Sequence, residues 1–111
     1  MLWSRFLCTS VLCFAACSGC AQQYAILYAT STPGSVSIWS GKDGQYLGMT
    51  PAQLPYIRVQ GWDPNPIAVI VFQEDKYQTT FKVVEIDKWW SDWQQARSNP
   101  NTVHADLSPI P

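Results

Sequence analysis

Between residues 24 and 87 short runs of alternating apolar and polar positions are punctuated by Gly and Pro. Tyr24 to Thr30 alternates large and small side chains and reads as a strand. Ser35-Val36-Ser37-Ile38-Trp39 alternates with Val36 and Ile38 on one face, which predicts a half-buried strand. Gln45-Tyr46-Leu47 returns briefly before Gly48-Met49-Thr50-Pro51 interrupts it, because Pro cannot donate to a ladder. Leu54 to Gln60 alternates again, with Ile57 and Val59 directed inward. Ile67 to Phe72 is a continuous, β-branched apolar run, too short for a helix, and predicts a central strand covered on both faces. Gln78 to Asp87 predicts the last strand. Phe81 and Val83 share one face and Val84 and Ile86 the other, a mixed phase that calls for a bulge or a doubly covered end.

The punctuation between these runs has turn chemistry. In Thr32-Pro33-Gly34-Ser35, Pro at the second place and Gly at the third predict a type II turn. Ser40-Gly41-Lys42-Asp43-Gly44 predicts a hairpin loop, with Asp-Gly as its strongest signal. Gly61-Trp62-Asp63-Pro64-Asn65-Pro66 predicts a wide loop. After Asp87 the composition changes: Trp89 to Arg97 predicts a short helix with Trp89, Trp90 and Trp93 on one side, stopped by Ser98-Asn99-Pro100. Residues 101–111, with Pro109 and Pro111, predict a loose tail.

The first twenty residues follow another rule. One positive charge (Arg5), an apolar run from Phe6 to Ala16 and then small residues form the layout of a secretory signal. As a helix that run rises about 16 Å, against a hydrocarbon core of about 30 Å, so it is too short to remain as a span. All four cysteines, Cys8, Cys13, Cys17 and Cys20, fall in this segment. Cleavage before Cys20 leaves a chain with one cysteine and no internal disulfide. Cleavage before Cys17 leaves two, too few ligands for a zinc site. Cleavage after Ala21, with Gly19 and Ala21 as the small residues, is the third option.

Cys17-Ser18-Gly19-Cys20 resembles the lipobox of bacterial lipoproteins at its small positions, with Cys17 in the usual place of Leu; Phe14-Ala15-Ala16-Cys17 resembles it in part. The resemblance implies a diacylglyceryl group on the sulfur of Cys20 (or of Cys17), removal of residues 1–19 and a short lipidated N-terminus over residues 20–23. With Ala21 rather than Asp in second place, it also implies the outer membrane where a cell has two. Acidic residues outnumber basic ones beyond Cys20, and no basic patch points to nucleic acid or anionic headgroups. Acyl chains would carry the attachment, each buried CH₂ contributing about 0.8 kcal/mol.

The block from Thr30 to Tyr77 resembles a PEGA domain. Pro33-Gly34-Ser35 stands for the family's Pro–Gly turn, Asp43-Gly44-Gln45-Tyr46-Leu47-Gly48-Met49-Thr50-Pro51 for its Asp-Gly…Gly-x-Thr-Pro segment, and Lys76-Tyr77 for its late turn. The resemblance implies a small all-β, antiparallel, sandwich-like domain over residues 24–87 that presents a surface rather than catalyses. Residues 88–111 then form a short helix or an irregular Trp-rich tail. Gly44 and Gly48 supply backbone freedom, and Pro51 fixes φ and removes a donor.

Candidate chemistry is sparse. His104 is the only histidine, with no nearby Cys or second His to make a metal site. Asp43 and Asp63 sit beside Gly or Pro and are explained by turns. No nucleophile has a plausible base, and no cofactor motif is present. The aromatic residues are the remaining signal: Trp39, Trp62, Trp89, Trp90 and Trp93 read either as a surface for a protein or glycan, or as a plug for an open end of the sandwich. The expectation is therefore a non-enzymatic, membrane-anchored envelope lipoprotein with a binding or scaffolding role. The alternatives are an inhibitor or immunity-type protein acting through its aromatic surface, and a glycan-binding module.

Overall fold

The computed structural model describes residues 21–59 and 64–111; the signal segment, Cys17, Cys20 and Trp62 lie outside them. Seven strands occur among the described residues: β1 (Gln22–Thr32), β2 (Ser37–Ser40), β3 (Tyr46–Met49), β4 (Ala52–Val59), β5 (Ile67–Gln73), β6 (Thr80–Glu85) and β7 (Asn101–Asp106), with helix α1 (Trp93–Ser98) before the last. They form two sheets, ordered β4-β1-β7 and β3-β2-β5-β6. The fold is mostly β, as the alternation predicts.

The small residues of β1 determine how the sheets meet. Ala25, Leu27 and Ala29 face Val36 and Ile38 from the β2 side and Ala68, Ile70 and Phe72 from β5, all buried in one cluster. The larger Tyr24, Ile26 and Tyr28 alternate to the outer face of the three-stranded sheet, where α1 lies against β1 and buries Ala96. Asp92 caps that helix, its Oδ1 accepting the Gln95 N–H at 2.8 Å.

The structure corrects five expectations. Residues 101–106 are not a tail: β7 pairs in parallel with β1, Leu27 opposite Asn101 through Thr32 opposite Asp106, so the fold is not wholly antiparallel. Asn101, Val103, Ala105 and Leu107 are buried at strict period two. Asn101 secures the start of this strand. Its Nδ2 donates to the carbonyls of Ile26 (3.3 Å) and Lys88 (3.2 Å), and its Oδ1 accepts the N–H groups of Asp87 (3.2 Å) and Lys88 (3.1 Å). Beyond β7, the Gln78 N–H donates to the Ser108 carbonyl at 2.8 Å and the Ile110 N–H to that of Lys76 at 3.0 Å.

The second correction is the phase of β4. Leu54, Tyr56 and Arg58 point inward, and Ile57 and Val59 point out. The one-residue difference turns over every side chain of a strand. Arg58 can occupy an inward position because its guanidinium lies 4.3 Å from the Trp89 ring centroid and donates to Gln23 (3.0 Å) and Asn65 (2.8 Å). Third, β5 is central but covered on one face only, and fourth, the ladder to β6 runs without a bulge from Ile67–Glu85 to Phe72–Thr80. Fifth, the residue with positive φ in the first turn is Ser35 (φ 60), not Gly34. The Ser35 N–H is held by the Thr50 carbonyl at 2.9 Å, just past the end of the neighbouring strand β3. The Asp43-Gly44 hairpin forms as expected, with Gly44 at φ 73.

Candidate functional site

Helix α1 covers part of the three-stranded sheet, and among the described residues the four-stranded sheet keeps an open outer face. In β6 the alternation sends Val84, and just beyond the strand Ile86, toward the core and Phe81 and Val83 outward, where they are 64% and 68% exposed. The register then builds a row across four strands. Phe81 lies opposite Val71, Val71 opposite Trp39, and Trp39 opposite Tyr46. The Trp39 and Tyr46 rings meet edge-on with centroids 4.9 Å apart. A second row places Val83 opposite Val69. Met49, opposite Ser37, and Ile67, opposite Glu85, extend the same face and are also exposed. At one margin the face deepens into an open groove of about 540 Å³, lined by Trp39, Gln73, Glu74, Tyr77 and Ile110 among others. The result is an apolar face with a polar margin.

This surface is only partly legible in the sequence. Trp39 is a sequence candidate and belongs to it; Phe81, Val83, Val69 and Val71 are not identified as surface residues. The usable signal is the mixed phase of Gln78–Asp87, whose second apolar face is bare rather than bulged or covered.

The remaining candidates take other places. Trp89 is half-buried against the core and donates from Nε1 to the Ile86 carbonyl at 2.8 Å. Trp90 pairs with Tyr24 through two backbone hydrogen bonds of 2.8 and 2.9 Å and donates from Nε1 to the Asn99 carbonyl. Trp93 starts α1 and packs on Tyr24, centroids 4.7 Å apart. The structure therefore brings these three indoles to the end of the domain where β1 begins. Trp89 and Trp90 precede the helix rather than lying on it.

The motif residues meet at the opposite end and form one hydrogen-bond chain. Thr50, 3% exposed, accepts the Val36 N–H at its Oγ1 (3.0 Å), and that Oγ1 is 2.6 Å from Ser31 Oγ. Ser31 Oγ donates to the Pro33 carbonyl at 2.6 Å. Since Ser31 has one hydroxyl hydrogen and it is engaged there, Thr50 donates to Ser31. The chain thus runs from Val36 through Thr50 and Ser31 to Pro33, joining the Pro33-Gly34 turn to the Thr50-Pro51 step. Gly48, at φ 126, sits where the register between β2 and β3 shifts. Asp43 accepts the Gln45 N–H at 3.0 Å, and that bond holds its carboxyl pKa below the ordinary value.

His104 does not lie in a loose tail. It stands on β7 with Thr30 Oγ1 2.7 Å from Nδ1 and Asp106 Oδ1 2.9 Å from Nε2. That contact lowers the Asp106 pKa. The order hydroxyl–imidazole–carboxylate is that of a nucleophile relay, but the group lies on an open sheet face, with the side chains of His104 and Asp106 48% and 82% exposed. Such a setting fixes a ring orientation without enclosing a substrate. Among the described residues no three His, Cys, Asp or Glu side chains gather as metal ligands, and no helix is long and apolar enough to cross a membrane. No protein-family model, curated protein or solved structure matches the chain.

Proposed function

We propose that this chain is a membrane-anchored envelope lipoprotein whose PEGA-like β domain binds a protein partner through the outer face of the four-stranded sheet. The anchor would be the acylated sulfur of Cys20, and in a two-membraned cell its place would be the outer membrane. The observation that carries the reading is the position of the first strand. Gln22, two residues beyond Cys20, is already paired with Val59. Among the described residues the first strand thus starts directly behind the lipobox-like segment, as a cargo does behind its attachment point. The PEGA-like reading is supported by the hydrogen-bond chain that links its Pro–Gly and Thr–Pro motifs through Thr50. The binding role is supported by the uncovered row of Tyr46, Trp39, Val71 and Phe81.

Intact mass and membrane fractionation of the wild type beside Cys20→Ala and Cys17→Ala test the anchor. Cys20→Ala alone is expected to lose the acyl mass and leave the membrane fraction. Loss in Cys17→Ala alone moves the attachment point, and loss in neither refutes the lipoprotein reading.

A further inference from the structure

Exposed apolar residues also collect around the start of β1, on the outer face of the three-stranded sheet. Val59 stands opposite Gln22, and Ile57 opposite Tyr24. Ile57 is 58% exposed. Tyr24 continues the row toward Trp93, which packs against its ring. Together these side chains form one apolar corner beside the start of β1.

The chain itself indicates what this corner meets. Only Ala21 separates Cys20 from Gln22, and an extended chain spans at most about 3.6 Å per residue. An acyl group on Cys20 therefore tethers the first paired backbone within about 10 Å of the lipid glycerol, a distance comparable to the depth of the headgroup layer. Along β1, Tyr24 lies only about 7 Å beyond Gln22. Val59, Ile57, Tyr24 and Trp93 thus stay within about 17 Å of the glycerol, close enough to meet the headgroups when the domain leans this corner toward the bilayer. Aliphatic side chains beside Tyr and Trp are what an interfacial contact is made of.

We propose that Ile57, Val59, Tyr24 and Trp93 form a membrane-docking corner that lays the domain against its own bilayer; this rests on the lipoprotein reading above. The contact is apolar and needs no anionic lipid, in keeping with the lack of a basic cluster. It also sets an orientation. The Trp39–Phe81 face belongs to the other sheet, across the core, and is turned away from the membrane toward partners.

The test uses the full chain, processed and acylated in a bacterial host, carrying Ile57→Cys or, separately, Phe81→Cys. Each is labelled with a polarity-sensitive fluorophore and placed in vesicles of phosphatidylethanolamine and phosphatidylglycerol. Both positions are exposed, so neither change disturbs the core. With nitroxide-bearing lipid, the label at 57 is expected to be quenched several-fold more than the label at 81. Equal quenching, or none at either site, in protein that carries the acyl mass overturns the docking corner and leaves the anchor standing. A label at 57 that is shielded from water yet unquenched by lipid, and becomes exposed as protein is diluted in the vesicles, assigns the corner to a second copy and also overturns the proposal. Absence of the acyl mass refutes the lipoprotein reading itself, and the docking corner with it.

Discussion

Replacing Thr50 by Val keeps the shape of the side chain and removes the hydroxyl at the centre of the Val36–Thr50–Ser31–Pro33 chain. Val36 is fully buried, so its N–H cannot turn to water once Thr50 Oγ1 is gone. A buried donor left without a partner costs about 1–3 kcal/mol, and the lost Thr50–Ser31 bond adds about 1 kcal/mol. The expected total is about 3 kcal/mol. For a domain of this size each kcal/mol shifts Tm by roughly 4–8 °C, so a fall of roughly 12–24 °C follows. Thr50→Ser retains the hydroxyl and loses one methyl, worth about 0.8 kcal/mol. Ser31→Ala removes only the far end of the chain, and its cost is expected to be less than additive with Thr50→Val because the two share a bond. Urea titrations followed by tryptophan fluorescence measure the wild type, the three single variants and the Thr50→Val/Ser31→Ala double variant. The reasoning is refuted if Thr50→Val lies within about 0.5 kcal/mol of wild type, or if Thr50→Ser costs as much as Thr50→Val.

Two further outcomes follow from the other buried or paired polar groups. Asn101→Asp turns both Nδ2 bonds, to the Ile26 and Lys88 carbonyls, into oxygen–oxygen repulsions, so a loss of about 3 kcal/mol or more is expected in the same titration; a neutral result would mean that β7 is not integral to the fold. The Asp106 carboxyl, bonded to His104 and lowered in pKa, contributes stability that is present above its unfolded pKa and is lost as pH falls through its folded one. In a carboxyl NMR titration its midpoint is expected below the ordinary aspartate value and to rise in His104→Ala; an unchanged midpoint in that variant would remove the cause assigned to it.

Period-two alternation locates β1, β2, β4, β5 and β6 because each has at least one face that the core must cover. It does not say which face. In β4, aliphatic Ile57 and Val59 look like the inward set, yet Tyr56 and Arg58 take those places. What decides is Trp89, some thirty residues further on, whose ring receives the guanidinium. The same kind of partner is missing from any local reading of residues 101–107. There Val103, Ala105 and Leu107 do alternate, but Pro100, Pro109 and Pro111 dominate the local signal, and only pairing with β1 gives the run a place. The exposed row of the four-stranded sheet was half visible for a related reason. Phe81 and Val83 stand out as apolar, but their exposure depends on where α1 lies, and it lies on the other sheet.

The parallel pairing of β1 with β7 has a consequence for when this domain can exist. β1 is the middle strand of its sheet, and one of its two edges is completed only by residues 101–106. Loop closure over that separation precedes any reward from the contacts, so this edge of β1 waits for residues 101–106. Under the lipoprotein proposal, a chain threaded through a membrane from its N-terminus presents β1 well before β7. Until the last strand arrives, the central strand has a bare edge and the three-stranded sheet cannot close. On the same proposal, the three-stranded sheet then closes only after residues 101–106 have crossed.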